Sequence, residues 1–211
     1  MLIFDLDGTL LDVWKRYFLV FNSWWKIREL DINTFINLKR EVEDDLFIIK
    51  EFYDKITEKE YDLYKKYKRE NLEKPEYLRL DEDIVNWNDL KNLDFIILTV
   101  RNNKYALYNE LERRGLDFIL EKIIVLKPKD YLVKYNWVME HLNYEDDIYV
   151  VGDSETDLFI GKLQKVKVVL VNTGLRDPIN LVKKYSKKLV NEVSIVNSVN
   201  NFLSNFPLKN I

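Results

Sequence analysis

Two carboxylates stand two positions apart at the end of a strand-like run, where Met1-Leu2-Ile3-Phe4 leads into Asp5-Leu6-Asp7-Gly8-Thr9-Leu10-Leu11-Asp12. That spacing suits a nucleophile with a proton donor beside it. Far downstream the pattern recurs, as Ile148-Tyr149-Val150-Val151 leads into Gly152-Asp153-Ser154-Glu155-Thr156-Asp157. Acids gathered at two strand ends point to a hard cation, which takes carboxylate oxygens. Between them Leu98-Thr99 closes another apolar run, and Lys127-Pro128 follows Lys122-Ile123-Ile124-Val125-Leu126. Four strand ends in order thus offer Asp/Asp, Thr, Lys and Asp/Asp. An isolated Asp-x-Asp is ordinarily a solvated turn; the strand ahead and Gly8-Thr9-Leu10 behind set this one apart.

Phosphoryl transfer needs an in-line nucleophile, neutralisation of the phosphoryl oxygens and a proton for the departing alcohol. Each need has a candidate. Asp5 can attack phosphorus and form an aspartyl-phosphate. Asp7 can protonate the leaving group and later take a proton from the attacking water. Thr99 can donate hydrogen bonds to the transferring group, and Lys127 can neutralise Asp5 and the developing charge. Asp153 and Asp157, with Asp5 and the backbone carbonyl of Asp7, would hold Mg²⁺, which prefers one or two carboxylates plus water and substrate oxygens. Arg101 forms Thr-x-Arg with Thr99, but an arginine flanking a helix is ordinarily a surface ion pair, so it stays outside the catalytic set. Lys15 and Arg16 read as a charged helix face, and His141 as a solvent-facing residue near a helix end.

The elements that must position these groups are legible as short β-branched runs at Leu2 to Phe4, Phe95 to Leu98, Ile123 to Leu126, Ile148 to Val151 and Val166 to Val171. Such runs suit strands of a parallel sheet buried on both faces. Lys104 to Arg114 reads as a helix closed by Gly115, and Lys129 to Leu142 as another with an apolar stripe at Leu132, Tyr135, Met139 and Leu142. These are β-α crossovers, and ligands of such sheets sit beyond the carboxyl ends of the strands, where all four suspect positions fall.

From about Val13 to Leu90 the pattern changes to long helical periodicity without strand-like runs, opening on Trp14, Tyr17, Phe18, Phe21, Trp24 and Trp25. We expect an inserted bundle of about four helices with those aromatics inside it. Thr57-Glu58-Lys59-Glu60 is a capping-box signal for a helix running to about Asn71. Lys74-Pro75 should end it, and Asp81 to Asp83 should start the next.

Bulk composition narrows the function. Of 211 residues 47% are hydrophobic, ample for a buried core. With 33 basic and 36 acidic side chains the net charge is −3, which gives no reason to expect nucleic acid or an anionic membrane as partner. Absence of cysteine excludes disulfides, thiol nucleophiles and zinc-thiolate sites, and fits a reducing compartment. No stretch approaches a membrane span, and the strand beginning at Leu2 leaves no room for a signal peptide, so the expected location is cytoplasmic.

Asp5-x-Asp7-Gly8-Thr9-Leu10-Leu11-Asp12, the strand-terminal Thr99, Lys127-Pro128 and Gly152-Asp153-Ser154-x-x-Asp157 together resemble the four motifs of the haloacid dehalogenase superfamily. The stretch from Lys127 to Asp153 has room for one helix and one strand, as in that superfamily. The resemblance implies an α/β fold with a Rossmann-like parallel sheet core at residues 1–12 and 93–211 and an all-helical C1 cap at 13–92. It implies a Mg²⁺-dependent phosphatase acting on a small phosphorylated metabolite, as a monomer or homodimer. An acid at position 7 disfavours dehalogenation. The alternatives are a phosphomutase of the β-phosphoglucomutase type and, less favoured with all four motifs in place, a non-catalytic binding protein on the same fold. One departure stands out: where relatives carry small residues after the last aspartate, this chain has Leu158-Phe159-Ile160-Gly161.

Overall fold

The computed structural model describes residues 1–42, 44–142, 147–191 and 193–205. The chain begins with β1 (Leu2–Phe4), passes through the acidic loop and a two-residue strand β2 (Leu11–Asp12), and enters five helices. These are α1 (Trp14–Trp25), α2 (Ile32–Glu41), α3 (Asp45–Lys50), α4 (Glu58–Asn71) and α5 (Pro75–Leu78). The chain returns through β3 (Glu82–Asp83), antiparallel to β2. It then alternates β4 (Phe95–Val100), α6 (Lys104–Arg113), β5 (Ile123–Leu126), α7 (Val133–His141), β6 (Ile148–Gly152), α8 (Glu155–Leu158), β7 (Val166–Val171), α9 (Pro178–Tyr185), β8 (Val193–Val196) and α10 (Val199–Asn205).

Six strands form one parallel sheet in the order β5-β4-β1-β6-β7-β8. Successive side chains of a strand point to opposite faces, so Ile3 and Phe4 enter different cores. Phe4 packs with Leu6, Phe95, Ile97, Leu107 and Phe202, while Ile3 packs with Leu98, Val138, Val150 and Leu170. Strand order reverses around β1, which places a crevice beyond the carboxyl ends of β1, β4 and β6, the position open α/β sheets use for ligands. The bulky Leu158, Phe159 and Ile160 are absorbed by the second core, with Gly161 facing Val168, so that departure from the small-residue pattern is met by packing.

The helices from α1 to α4 have a core of their own around Phe35, whose ring lies 5.1 Å from Phe21, 5.6 Å from Phe18 and 6.4 Å from Trp14. Those tilted and edge-on contacts are the geometries that aromatic quadrupoles favour. Thr57 and Glu60 close the expected capping box, and α4 ends at Asn71.

Several elements depart from the sequence reading. Pro75 opens α5 rather than ending a helix, a first-turn position where its missing N–H costs nothing. Asp81 does not cap a helix, because its carboxylate pairs with Arg16 at 3.1 Å and the chain continues extended into β3. The paired two-residue strands β2 and β3 are too short for any periodicity signal. β8, half-exposed at the sheet edge and carrying Ser194, adds a sixth strand to the five apolar runs. α7 begins at Val133, four residues later than expected, and buries Lys134 and Val138 while Met139 is exposed. Among the described residues no helix is long and apolar enough to cross a membrane.

Candidate active site

β1 delivers Asp5 to the floor of the crevice, where its amide donates to the Val151 carbonyl at 2.8 Å and its side chain is buried. Asp5 Oδ1 accepts from the Leu6 amide at 2.7 Å and pairs with Lys134 Nζ at 2.8 Å. The same ammonium lies 2.6 Å from Asp157 Oδ1. Asp157, at the first turn of α8, also accepts from the Ser154 hydroxyl at 2.6 Å and the Ser154 amide at 3.1 Å. Asp153 Oδ2 accepts from the Leu175 amide at 2.9 Å. Two glycines make room for Asp153. A Cβ on Gly174 would fall 1.9 Å from Asp153 Oδ2, and Gly8, at φ +78°, would place one 2.6 Å from the same oxygen.

Carboxylate oxygens of Asp5, Asp153 and Asp157 lie within 4.8 Å of one another, all buried. Three acids share one ammonium, so the cluster is short of positive charge. Burial, partly relieved by Lys134 and reinforced by Asp157 and Asp7, pushes the Asp5 carboxyl up to about 7. Burial, then Asp5 and Asp157, hold Asp153 well above the carboxylate range. Burial opposes the charge of Lys134, yet Asp157 and Asp5 outweigh it and raise its pKa. A group of oxygens this compact and this short of cations fits a divalent metal with oxygen preference.

Asp7 points away from that cluster. Its Oδ1 receives Arg101 Nη2, and its Oδ2 lies 3.1 Å from Arg16 Nη2. Both arginines are almost wholly buried, and Arg16 also reaches Asp81. Burial acts to raise the Asp7 pKa, but Arg101 and Arg16 more than offset it and hold the carboxyl below its ordinary value. Tyr17, over the same cleft, has its hydroxyl pushed up to about 12 by burial and by the charge of Asp7. Thr99 is buried and lines the cleft with Asp5, Asp7, Tyr17, Lys134 and Asp153. The cleft encloses about 170 Å³.

Of the residues nominated by the sequence, Asp5, Asp7, Thr99, Asp153 and Asp157 are thus brought together, with Asp7 turned toward arginines. Lys127 is not among them. Its ammonium donates to the Asn102 carbonyl at the exposed surface, and the lysine that meets Asp5 is Lys134, carried inward by α7. Spacing after β5 nominated the first lysine past the strand, whereas the fold uses one in the first turn of the following helix. Lys134 and Val138, four residues apart on one helix face, were the available signal. Arg101 and Arg16, read as surface charges, are interior partners of Asp7. Arg16 shares its face of α1 with Val20, whereas its neighbour Lys15 is exposed and paired with Glu82.

The sequence model for haloacid dehalogenase-like hydrolases matches residues 2–171. The chain belongs to that family. Among curated proteins nothing matches the chain. Solved structures share its fold at low identity. A predicted phosphoglycolate phosphatase from Haemophilus somnus 129pt superposes with TM-score 0.63 at 21% identity, over 97% of this chain and 96% of that one. A predicted phosphatase from Clostridium acetobutylicum gives TM-score 0.62 at 20% identity, over 96% and 95%. Protein Tyrosine Kinase A from Mycobacterium tuberculosis gives 0.61 at 15% identity, over 96% and 95%. One fold at this similarity carries differently named activities, so the chemistry has to be argued from the site.

Proposed function

We propose that this haloacid dehalogenase-like hydrolase is a Mg²⁺-dependent phosphatase that cleaves a small phosphorylated metabolite through an aspartyl-phosphate on Asp5. The observation that carries the reading is Asp5 at the end of β1, paired with Lys134 and backed by Asp153 and Asp157, at a cleft that Thr99 also lines. Asp5, Asp153 and Asp157, with the Asp7 carbonyl, would hold the metal, which when bound neutralises charge on the phosphoryl oxygens.

An Asp5 oxygen attacks phosphorus, the bond to the leaving oxygen breaks, and that oxygen takes a proton from Asp7. Lys134 offsets the charge of Asp5 and of the phosphoryl group, and Thr99 donates to a phosphoryl oxygen. In the second step Asp7 takes a proton from water, which attacks phosphorus and releases Asp5 and phosphate. With both oxygens paired to arginines Asp7 is ionised, the form that the second step uses; for the first step one arginine must yield its contact so that the proton can be carried. Arg16 belongs to α1, so movement of the helical insertion would change that contact. We assign residues 13–92 as a cap that closes over the cleft, excludes water and selects the substrate.

Phosphate release from a panel of small phosphate esters, with and without Mg²⁺, tests the reading. Release that requires Mg²⁺ and disappears in Asp5→Asn supports it; equal release by Asp5→Asn removes Asp5 as nucleophile.

A further inference from the structure

Tyr17 sits at the seam between the helical insertion and the sheet. It stands near the start of α1, yet its ring packs against the sheet-side core around Phe4 as well as the helical core around Phe35. Two cations approach that ring, with Arg16 Cζ 5.5 Å and Lys68 Nζ 5.4 Å from its centre, distances at which a π face attracts positive charge. The start of α1 is itself fastened to the loop after β7, where Trp14 Nε1 donates to the Thr173 carbonyl at 3.1 Å. The ring is therefore held in place from both sides of the seam.

The hydroxyl on that ring faces the cleft. Tyr17 lines the cleft with Asp5, Thr99, Lys134 and Asp153, and the charges of Asp7 and Asp153 both reach the phenolic oxygen, that of Asp7 more strongly. Among the described residues no group hydrogen-bonds to this hydroxyl. Other tyrosines of the insertion differ: Tyr64 donates to Asp45 at 2.6 Å, Tyr53 to the Trp25 carbonyl at 2.5 Å, and Tyr61 to Asp44. A tyrosine hydroxyl away from bulk water ordinarily finds a partner. Here the partner is to be sought in what the cleft receives. Burial and the charge of Asp7 push the hydroxyl up to about 12, so near neutral pH it keeps its proton and can donate.

We propose that Tyr17 is a substrate-binding residue supplied by the helical insertion, its hydroxyl donating a hydrogen bond to a phosphoryl oxygen of the bound ester. The proposal rests on the phosphatase reading of the cleft. At about 170 Å³ the cleft is small for a ligand site, which brings a phosphoryl group beside Asp5 within reach of the side chains that line it. A hydrogen bond to a charged oxygen is of the strong kind. Because the donor rides on α1, the phosphoryl site is complete only while the helical insertion is seated against the sheet.

Tyr17→Phe removes one oxygen and leaves the ring, so the variant that tests the proposal keeps the packing. Calorimetric titration with inorganic phosphate, Mg²⁺ present, should show binding about tenfold or more weaker in Tyr17→Phe than in wild type. The urea midpoint of the ligand-free protein should stay unchanged, because the hydroxyl has no partner to lose. Where esters are turned over, kcat/KM should fall by a similar factor for an alkyl phosphate and for p-nitrophenyl phosphate, which present the same phosphoryl oxygens. Equal phosphate affinity in the two proteins overturns the proposal. So does a loss confined to the alkyl ester, which would put the hydroxyl on the leaving oxygen, or a lowered midpoint, which would make its role structural. Absence of phosphate binding by wild type removes the phosphoryl site and the proposal with it. Ester hydrolysis by wild type with equal phosphate affinity in both proteins removes the role of Tyr17 alone; weakened binding in Tyr17→Phe without hydrolysis of any ester by wild type removes the phosphatase reading alone.

Discussion

Lys134 Nζ lies 2.8 Å from Asp5 Oδ1 and 2.6 Å from Asp157 Oδ1, bridging the ends of β1 and the first turn of α8 from a helix that belongs to neither. Its side chain is almost wholly buried. Removing one partner of a buried ion pair leaves an uncompensated charge, at a cost of about 3–5 kcal/mol. Lys134→Met should therefore lower stability by about that amount in metal-free buffer and reduce kcat on any turned-over ester by about a hundredfold or more. Lys127→Ala, at the surface, should stay within about 0.5 kcal/mol of wild type. Urea unfolding and steady-state kinetics on the two variants check this, and a Lys127→Ala protein impaired as severely as Lys134→Met would sink it.

Metal binding should depend on pH in a calculable direction. Asp5, pushed up to about 7, and Asp153, held well above 3.8, bind protons in the metal-free fold at pH values where the unfolded chain, with aspartates near 3.8, does not. Stability of the metal-free protein should therefore fall as pH rises from 3.8 through about 7. A cation must displace those protons, so the increase in Tm on adding Mg²⁺ should be larger at pH 8 than at pH 6. Scanning fluorimetry reads it directly. In Asp153→Asn the Mg²⁺-dependent increase should be largely lost.

Arg101 and Arg16 together hold the Asp7 carboxyl below its ordinary value despite its burial. Replacing Arg101 with Met removes a lowering influence, so the Asp7 pKa must rise. Any limb of the kcat/KM against pH profile that reports ionisation of Asp7 should move to higher pH in Arg101→Met and vanish in Asp7→Asn. An unchanged profile in Arg101→Met would show that Asp7 does not set that limb.

Within the helical insertion, burial works against the charge of Asp45, but Lys68 and Lys39 outweigh it and hold the carboxyl well below 3.8. A carboxyl depressed in the folded state contributes stability that is present above 3.8 and lost as pH falls through the folded value. Urea midpoints measured downward from pH 5 should fall more steeply for wild type than for Asp45→Asn, which lacks that titration. Parallel slopes would contradict the assignment.

The sheet and most of the site were legible because each strand is a short β-branched run ending in a chemically distinctive residue, as Phe4 before Asp5 and Leu98 before Thr99. The capping box at Thr57 and Glu60 was equally plain, since cap and helix are local neighbours. What stayed hidden depends on contacts distant in sequence. Arg16 reads as a surface charge and Asp81 as a helix start until β2 and β3 pair and bring them together. Lys134 lies in a stretch whose hydrophobic pattern suggests a face through Tyr135 and Met139; the pull of Asp5 and Asp157 turns the helix otherwise. β8 has no sharp apolar signal because it is an edge strand, half-exposed, ordered by β7 beside it.

The claim on which the rest depends is that Asp5 carries the phosphoryl group. Mass spectrometry of protein rapidly acid-quenched during turnover, with Mg²⁺ present, tests it most directly. The account predicts one phosphoryl group on the peptide containing Asp5, absent from Asp5→Asn together with phosphate release. Continued release by Asp5→Asn, or a phosphoryl group found on another residue, would contradict it.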